Sequence, residues 1–240
     1  MPIYPHEEYL KITKRLPNYT EYDQNGIPFV EADDLDISGI NNSLWLINIS
    51  NVNEKAKNVD RKIVHCHRFD DKLDWIEKHP LDFIEKVFGY YAVCTPDISM
   101  DKVMKIEPIR SATFRNRWTG VLLQANGSKV ITTVGWVTKE TFDICLSGLR
   151  NGGTFMISTL GVNNDECRND FLAGYNEMRK RYPDSKIICL GDRVKGMDSD
   201  VYYVKYEDAF GNWEKYRKNF QTSLFNYDFS IPDKACEIEF

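Results

Sequence analysis

Short apolar runs separated by amphipathic stretches organise most of the chain. SLWLINIS (43–50), KIVHCH (62–67), YYAVCT (90–95), KVITTV (129–134), GTFMIS (153–158), KIICL (186–190) and VYYVKY (201–206) have strand length and are rich in Val, Ile and Tyr. Most of the runs after residue 90 show little polar alternation. Strands that are apolar throughout are expected where helices cover both faces of a parallel sheet.

The intervening segments carry helical signals. EPIRSATFRNRWTGVLLQANG ends at Asn126-Gly127, KETFDICLSGLRNGG ends at Gly152-Gly153, and NDFLAGYNEMRKRYPD stops at Pro183. LDWIEKHPLDFIEKVFG (73–89) predicts a pair of helices divided at Pro80. The alternation predicts an α/β fold, mainly a parallel sheet with βα repeats, and favours a degenerate (β/α) barrel over an open doubly wound sheet. At 240 residues the chain reads as one domain: an N-terminal cap over 1–42, an α/β core over 43–220 and a C-terminal tail over 221–240.

Composition narrows the function classes. With 42% hydrophobic and 28% charged residues this is ordinary globular material. A net charge of -5 provides no global attraction to nucleic acid or anionic lipid, so such a partner would need a local basic patch. The N-terminus lacks signal-peptide order and no apolar run approaches the roughly 20 residues that span a bilayer. A cytoplasmic protein with no membrane partner is expected. The six cysteines are scattered with no CxxC pair, and Cys94, Cys145 and Cys189 fall inside apolar runs as small hydrophobes.

IVHCHRFDD (63–71) invites a metal-site reading, since it holds His65, Cys66, His67, Asp70 and Asp71. Strand alternation argues against convergence: His65 and His67 share one face and Cys66 takes the other. No metal is assigned; His65 and His67 would be its ligands if a third group joined them. Capping is the simpler role for the two aspartates.

In either parallel architecture, functional groups collect beyond the carboxyl ends of the strands. Asp97, following Pro96, is the carboxylate placed to act as nucleophile or general base, with Ser99 beside it; capping the next turn is the competing role. RSATFRNRWTG supplies Arg110, Arg115, Asn116 and Arg117. Helical spacing sets Arg110 and Arg117 on one face, suited to a phosphate or carboxylate, with Arg115 rotated away. Trp136 is positioned to stack on a base or sugar, or to serve as a lid or core residue. Ser158, Thr159 and Asp192 end two further strands. Arg193 and Lys195 either extend a basic rim or serve solubility.

The ordered segments TPDIS, RNRWTG, VITTVGW, FDICLSGL, FMISTLGV and FLAGYNEMRKRYPDSKIICLGD resemble an uncharacterised domain-of-unknown-function family of bacteriophages and bacterial mobile elements, over about Ile63 to Asp192. The resemblance marks Pro96, Asp97, Ser99, Asn116, Arg117, Trp136, Ser158 and Gly161 as signature positions and implies a bacterial host cytoplasm. It names neither activity nor cofactor. Gly135 stands where that family more often has arginine, and aromatic residues are usual there at Cys66 and His67. A weaker similarity, of pattern only, is to tRNA-guanine transglycosylase barrels, whose cysteine-rich zinc motif is absent here.

Three functions compete. One is an enzyme acting on a nucleotide or nucleic-acid base. The second is a non-catalytic protein that engages a host protein or sequesters a ligand. The third, a DNA-nicking replication initiator using His65, His67 and Tyr216, requires an antiparallel sheet and fits the pattern poorly.

Overall fold

Seven strands hydrogen-bond in sequential order, each parallel to the next, in a computed structural model that describes residues 16–53 and 57–210. They are β1 (Trp45–Asn48), β2 (Lys62–His65), β3 (Ala92–Cys94), β4 (Val130–Thr133), β5 (Thr154–Ser158), β6 (Lys186–Leu190) and β7 (Tyr202–Val204). Sequential order without a reversal is the winding of a barrel; a doubly wound sheet reverses at its middle. The sheet is nearly closed, so the expected degenerate barrel is the observed architecture. Because every pairing is parallel, the antiparallel sheet required by the DNA-nicking initiator is not this fold. Tyr216 and the tail at 221–240 lie outside the described residues.

The helices between strands are α1 (Asp74–Lys78), α2 (Pro80–Val87), α3 (Ile106–Ala125), α4 (Phe142–Cys145) and α5 (Asp165–Arg181). Pro80 opens α2, where its missing N–H costs nothing. Asn164 caps α5 through its side chain, which accepts from the Cys167 N–H. The helix expected over 139–153 is the exception, reduced to one 3₁₀ turn and the four residues of α4. Gly148, at φ +68°, turns the chain toward β5 against the backbone of Pro28, which ends the helix early.

Side-chain alternation sorts the strands into two faces. Leu46, Ile63, Ala92, Cys94, Ile131, Met156, Ile188 and Val204 meet inside the barrel. Their neighbours Val64, Val93 and Val130 pack outward with Trp118 of α3, and Phe155, Ile157 and Ile187 pack with Tyr175 and Met178 of α5. Burial on both sides explains why these strands read as continuous apolar runs.

Leu35, Ile37, Ile40 and Leu44 join the interior cluster at the N-terminal end of the strands. The Lys186 ammonium donates to Leu35 O and the Tyr91 hydroxyl to Asp36 O, both from residues that begin or precede a strand. This part of the N-terminal segment is therefore a plug in the barrel floor, at the end opposite the strand-end loops. At the other end, α6 (Tyr206–Phe210) follows β7 directly, packs on β1 and reaches the ends of β2 and β5 through Ala209 and Tyr206. Ala209 and Phe210 complete the interior cluster, and Asn51 donates to Phe210 O at 3.1 Å.

Candidate functional site

β3 ends at Cys94, and the three residues that follow are held by a network from two other elements. The Thr95 hydroxyl donates to Asn116 Oδ1 (3.0 Å), and Asn116 Nδ2 donates to Pro96 O (2.7 Å) and Thr133 O (3.0 Å). Thr133 returns its hydroxyl to Thr95 O at 2.7 Å, and its N–H donates to Thr95 Oγ1 at 2.8 Å. All of these side chains are buried, where satisfied polar groups fix geometry and unsatisfied ones cost about 1–3 kcal/mol. The result is a rigid Thr95-Pro96 step that delivers Asp97 to the mouth of the barrel.

Beneath the network lies Arg117, only 2% exposed. Its Nε donates to Ser147 O, one terminal nitrogen to Thr133 O and Asn116 Oδ1, and the other to Cys145 O. Burial lowers its pKa to about 10, which leaves it charged at neutral pH. This guanidinium is a strut between α3, the end of β4 and the turn after α4. Arg110, its expected partner in an anion clamp, is instead turned to Asn25 O at 3.2 Å. The seven-residue spacing places both on one side of α3, yet their heads reach different loops and do not meet over one ligand. Arg115 pairs with Asp74 and Glu77 of α1.

Asp97 is half-open to solvent, with 41% of its side chain exposed, and its carboxylate has no hydrogen bond among the described residues. Desolvation by the surrounding wall, reinforced by the charge of Asp70, pushes its pKa up to about 6. Asp70 does not take the expected capping role: it accepts from the N–H and the hydroxyl of Ser99, at 3.1 and 3.0 Å, and so ties the loop after β3 to the loop after β2. Ser99 is exposed and spends its hydroxyl there.

Facing Asp97 is His67, whose Nε2 lies 3.7 Å from Asp97 Oδ2. Burial pushes His67 down to about 4, so at neutral pH an uncharged imidazole stands beside a carboxylate. Neither ring nitrogen of His67 has a hydrogen-bond partner among the described residues. His65 sits behind it, ring centroids 5.6 Å apart, with Nε2 against Ala209 O (3.2 Å) and Phe210 edge-on. Burial and the neighbouring imidazole push His65 down to about 3. Cys66 packs outward beside Val64 and Trp118, and burial pushes its thiol up to about 12. The strand-alternation reading of IVHCHRFDD is therefore the observed one. No group of three or more His, Cys, Asp or Glu among the described residues is arranged to hold a metal ion.

Across the mouth, the Ser158 hydroxyl is 2.9 Å from the Tyr206 hydroxyl, and Thr159 donates to Asp192 O at 3.1 Å. Gly191, at φ +115°, lets the end of β6 approach this point, since a Cβ would strike Thr159 and the Tyr206 ring. Trp136 lies against Phe171 with centroids 5.4 Å apart and is seated on Gly174 of α5, where any side chain would collide with the indole. Trp136 also lines, with Ser158, Gly161 and Gly135, an open groove of about 750 Å³ between the loops after β3, β4 and β5. A second cavity of about 20 Å³, room for a single water, joins Asp97 to Asn116, Arg117 and Thr133.

Strand-end reasoning places Thr95, Asp97, Ser158 and Thr159 at this mouth but does not single out Thr133 or Tyr206. Thr133 ends β4, a signal open to the same reasoning; Tyr206 carries none.

These features define a parallel α/β barrel with a polar, partly desolvated site at the carboxyl ends of its strands. Residues 24–207 match the family described as Domain of unknown function (DUF4417), and the chain belongs to that family. It is similar to two curated phage proteins, each called Gene 1 protein, from Mycobacterium phage D29 and Mycobacterium phage L5; each is 27% identical over 156 residues. That stretch covers 65% of this chain, 57% of the D29 protein and 67% of the L5 protein. No solved structure shows a significant match. No helix among the described residues is long and apolar enough to cross a membrane.

Proposed function

We propose that this protein is a phage or mobile-element enzyme acting on a nucleotide or nucleic-acid base in the bacterial cytoplasm, with Asp97 as general base. The observation that carries the reading is the state of Asp97: a carboxylate at a strand end, with no hydrogen bond among the described residues and its pKa raised to about 6. A base is most effective when its pKa lies near the working pH, because it is then deprotonated yet still basic. Structural carboxylates are usually consumed by donors and held low; this one is not.

In this reading Asp97 takes a proton from a substrate N–H or from an attacking water. His67, uncharged beside it, hydrogen-bonds the substrate edge with a ring nitrogen. Asn116, Thr95 and Thr133 act through the backbone of Pro96 to position Asp97, and Ser99 holds Asp70, whose charge keeps the Asp97 pKa high. Trp136 and Ser158 form the groove side of the site.

A screen of nucleosides, nucleotides and bases, with products followed by mass spectrometry, tests the proposal. Turnover of one class is expected, with a loss of at least a hundredfold in Asp97→Asn while the circular dichroism spectrum is unchanged. Equal turnover in wild type and variant removes Asp97 from the chemistry. A non-catalytic binding role is favoured by one observation, the open groove flanked by the exposed apolar side chains of Val103 and Leu160. A ligand that binds there and is recovered unchanged supports that alternative.

A further inference from the structure

We infer that the cavity beside Tyr206 seats a phosphoryl group of the substrate, which makes the substrate a phosphorylated small molecule; the inference rests on the Asp97 reading above. The cavity measures about 480 Å³ and its wall includes Thr159, Arg168, Asp192, Arg193, Lys195 and Tyr206. Small-molecule sites run from about 300 to 1,000 Å³, so the volume suits one compact ligand.

Three cationic side chains face one carboxylate there, in a chain whose net charge is -5. Arg168 is partly committed, with Nη1 at 2.5 Å from Asp165. Arg193 spends one N–H on Met197 O at 2.9 Å, and the Lys195 ammonium has no partner among the described residues. Asp198, the acid next along the loop, takes its hydrogen bonds from Arg179 and the Tyr175 hydroxyl, and Arg193 acts on it only through charge. The cavity therefore offers N–H donors of two geometries, the remaining guanidinium N–H groups of Arg193 and the Lys195 ammonium. A tetrahedral phosphate with several acceptor oxygens matches that set, the arginine in paired fashion and the lysine as a point charge.

Position links this seat to the base. Tyr206 and Thr159 line the cavity, and the Tyr206 hydroxyl meets Ser158, which lines the groove containing Trp136. A ligand anchored by phosphate at Arg193 and Lys195 extends past Tyr206 and Ser158 toward the mouth where Asp97 sits. The glycine at 191 keeps this passage narrow by letting β6 close against Tyr206.

Calorimetric titration of the full chain with inorganic phosphate, a nucleoside and its 5′-monophosphate tests the inference, using wild type, Arg193→Gln, Lys195→Gln and Asp97→Asn. The monophosphate is expected to bind wild type at least tenfold more tightly than the nucleoside. That advantage should fall below threefold in Lys195→Gln and Arg193→Gln, both exposed positions whose melting temperatures should stay within about 2 °C of wild type. It should persist in Asp97→Asn, which separates failure of the seat from failure of the base. Equal binding of nucleoside and monophosphate, an advantage retained in both cationic variants, or no binding of inorganic phosphate and monophosphate at millimolar concentration overturns the inference.

Discussion

Replacing Asp97 with asparagine should stabilise the protein at high pH, the opposite of what loss of a structural carboxylate would do. Wild-type Asp97 moves from a reference pKa of 3.8 to about 6 on folding, so the folded state prefers the protonated form. A carboxyl group whose folded pKa is raised contributes its full stability below the unfolded pKa. That contribution is lost as pH rises through the folded value. The gap of about two pH units corresponds to at most ~3 kcal/mol at 1.36 kcal/mol per unit. Because 41% of the side chain is exposed, solvent screening reduces this to about 1 kcal/mol. Asparagine has nearly the same shape and no charge to desolvate. Urea melts of wild type and Asp97→Asn at pH 4 and pH 8 should give equal stabilities at the lower pH and a gain of about 1 kcal/mol for the variant at the higher. A variant less stable than wild type by the same amount at both values would refute the reasoning, because it would mean that the carboxylate is held by donors.

Other perturbations follow from the same geometry. His67 has the reverse linkage: burial depresses it from 6.5 to about 4, so its contribution is present above the unfolded pKa and is lost as pH falls through 6.5 toward 4. Over that window equilibrium melts of wild type should lose about 1–3 kcal/mol more than those of His67→Gln, the remaining slope belonging to His65 and Asp97. Arg117→Met should cost about 3–5 kcal/mol by leaving the buried carbonyls of Ser147 and Cys145 without the guanidinium donor, measured as a fall in the urea midpoint. Gly191→Ala should destabilise by about 1–3 kcal/mol through its positive φ and its collision with Thr159, and a melting temperature equal to wild type would contradict the close packing described. Gly174→Ala should displace Trp136, read as a shift in tryptophan fluorescence.

Most of the architecture was legible along the chain, because strand identity and helix identity are local properties. An apolar run such as KIICL can be buried on both faces only inside a layered α/β fold, and all seven such runs became strands. Pro96-Asp97 could be assigned to the mouth for a similar reason: a strand end and its loop are adjacent in sequence. The parity of His65, Cys66 and His67 likewise followed from the two-residue period.

Only the tertiary structure decided which strand ends meet and which charges are consumed. Arg110 and Arg117 have identical chemistry and compatible spacing, yet one head is buried among carbonyls and the other reaches Asn25, because the loops opposite them come from segments far away in sequence. The packing of α6 on β1, the plug at Leu35–Leu44 and the meeting of His67 with Asp97 are likewise contacts between distant segments. Periodicity reports which way a side chain points relative to its own backbone. What it points at is set by the winding of the barrel, and the environment it meets there, dry for His67 and half-wet for Asp97, sets the pKa values on which the chemistry rests.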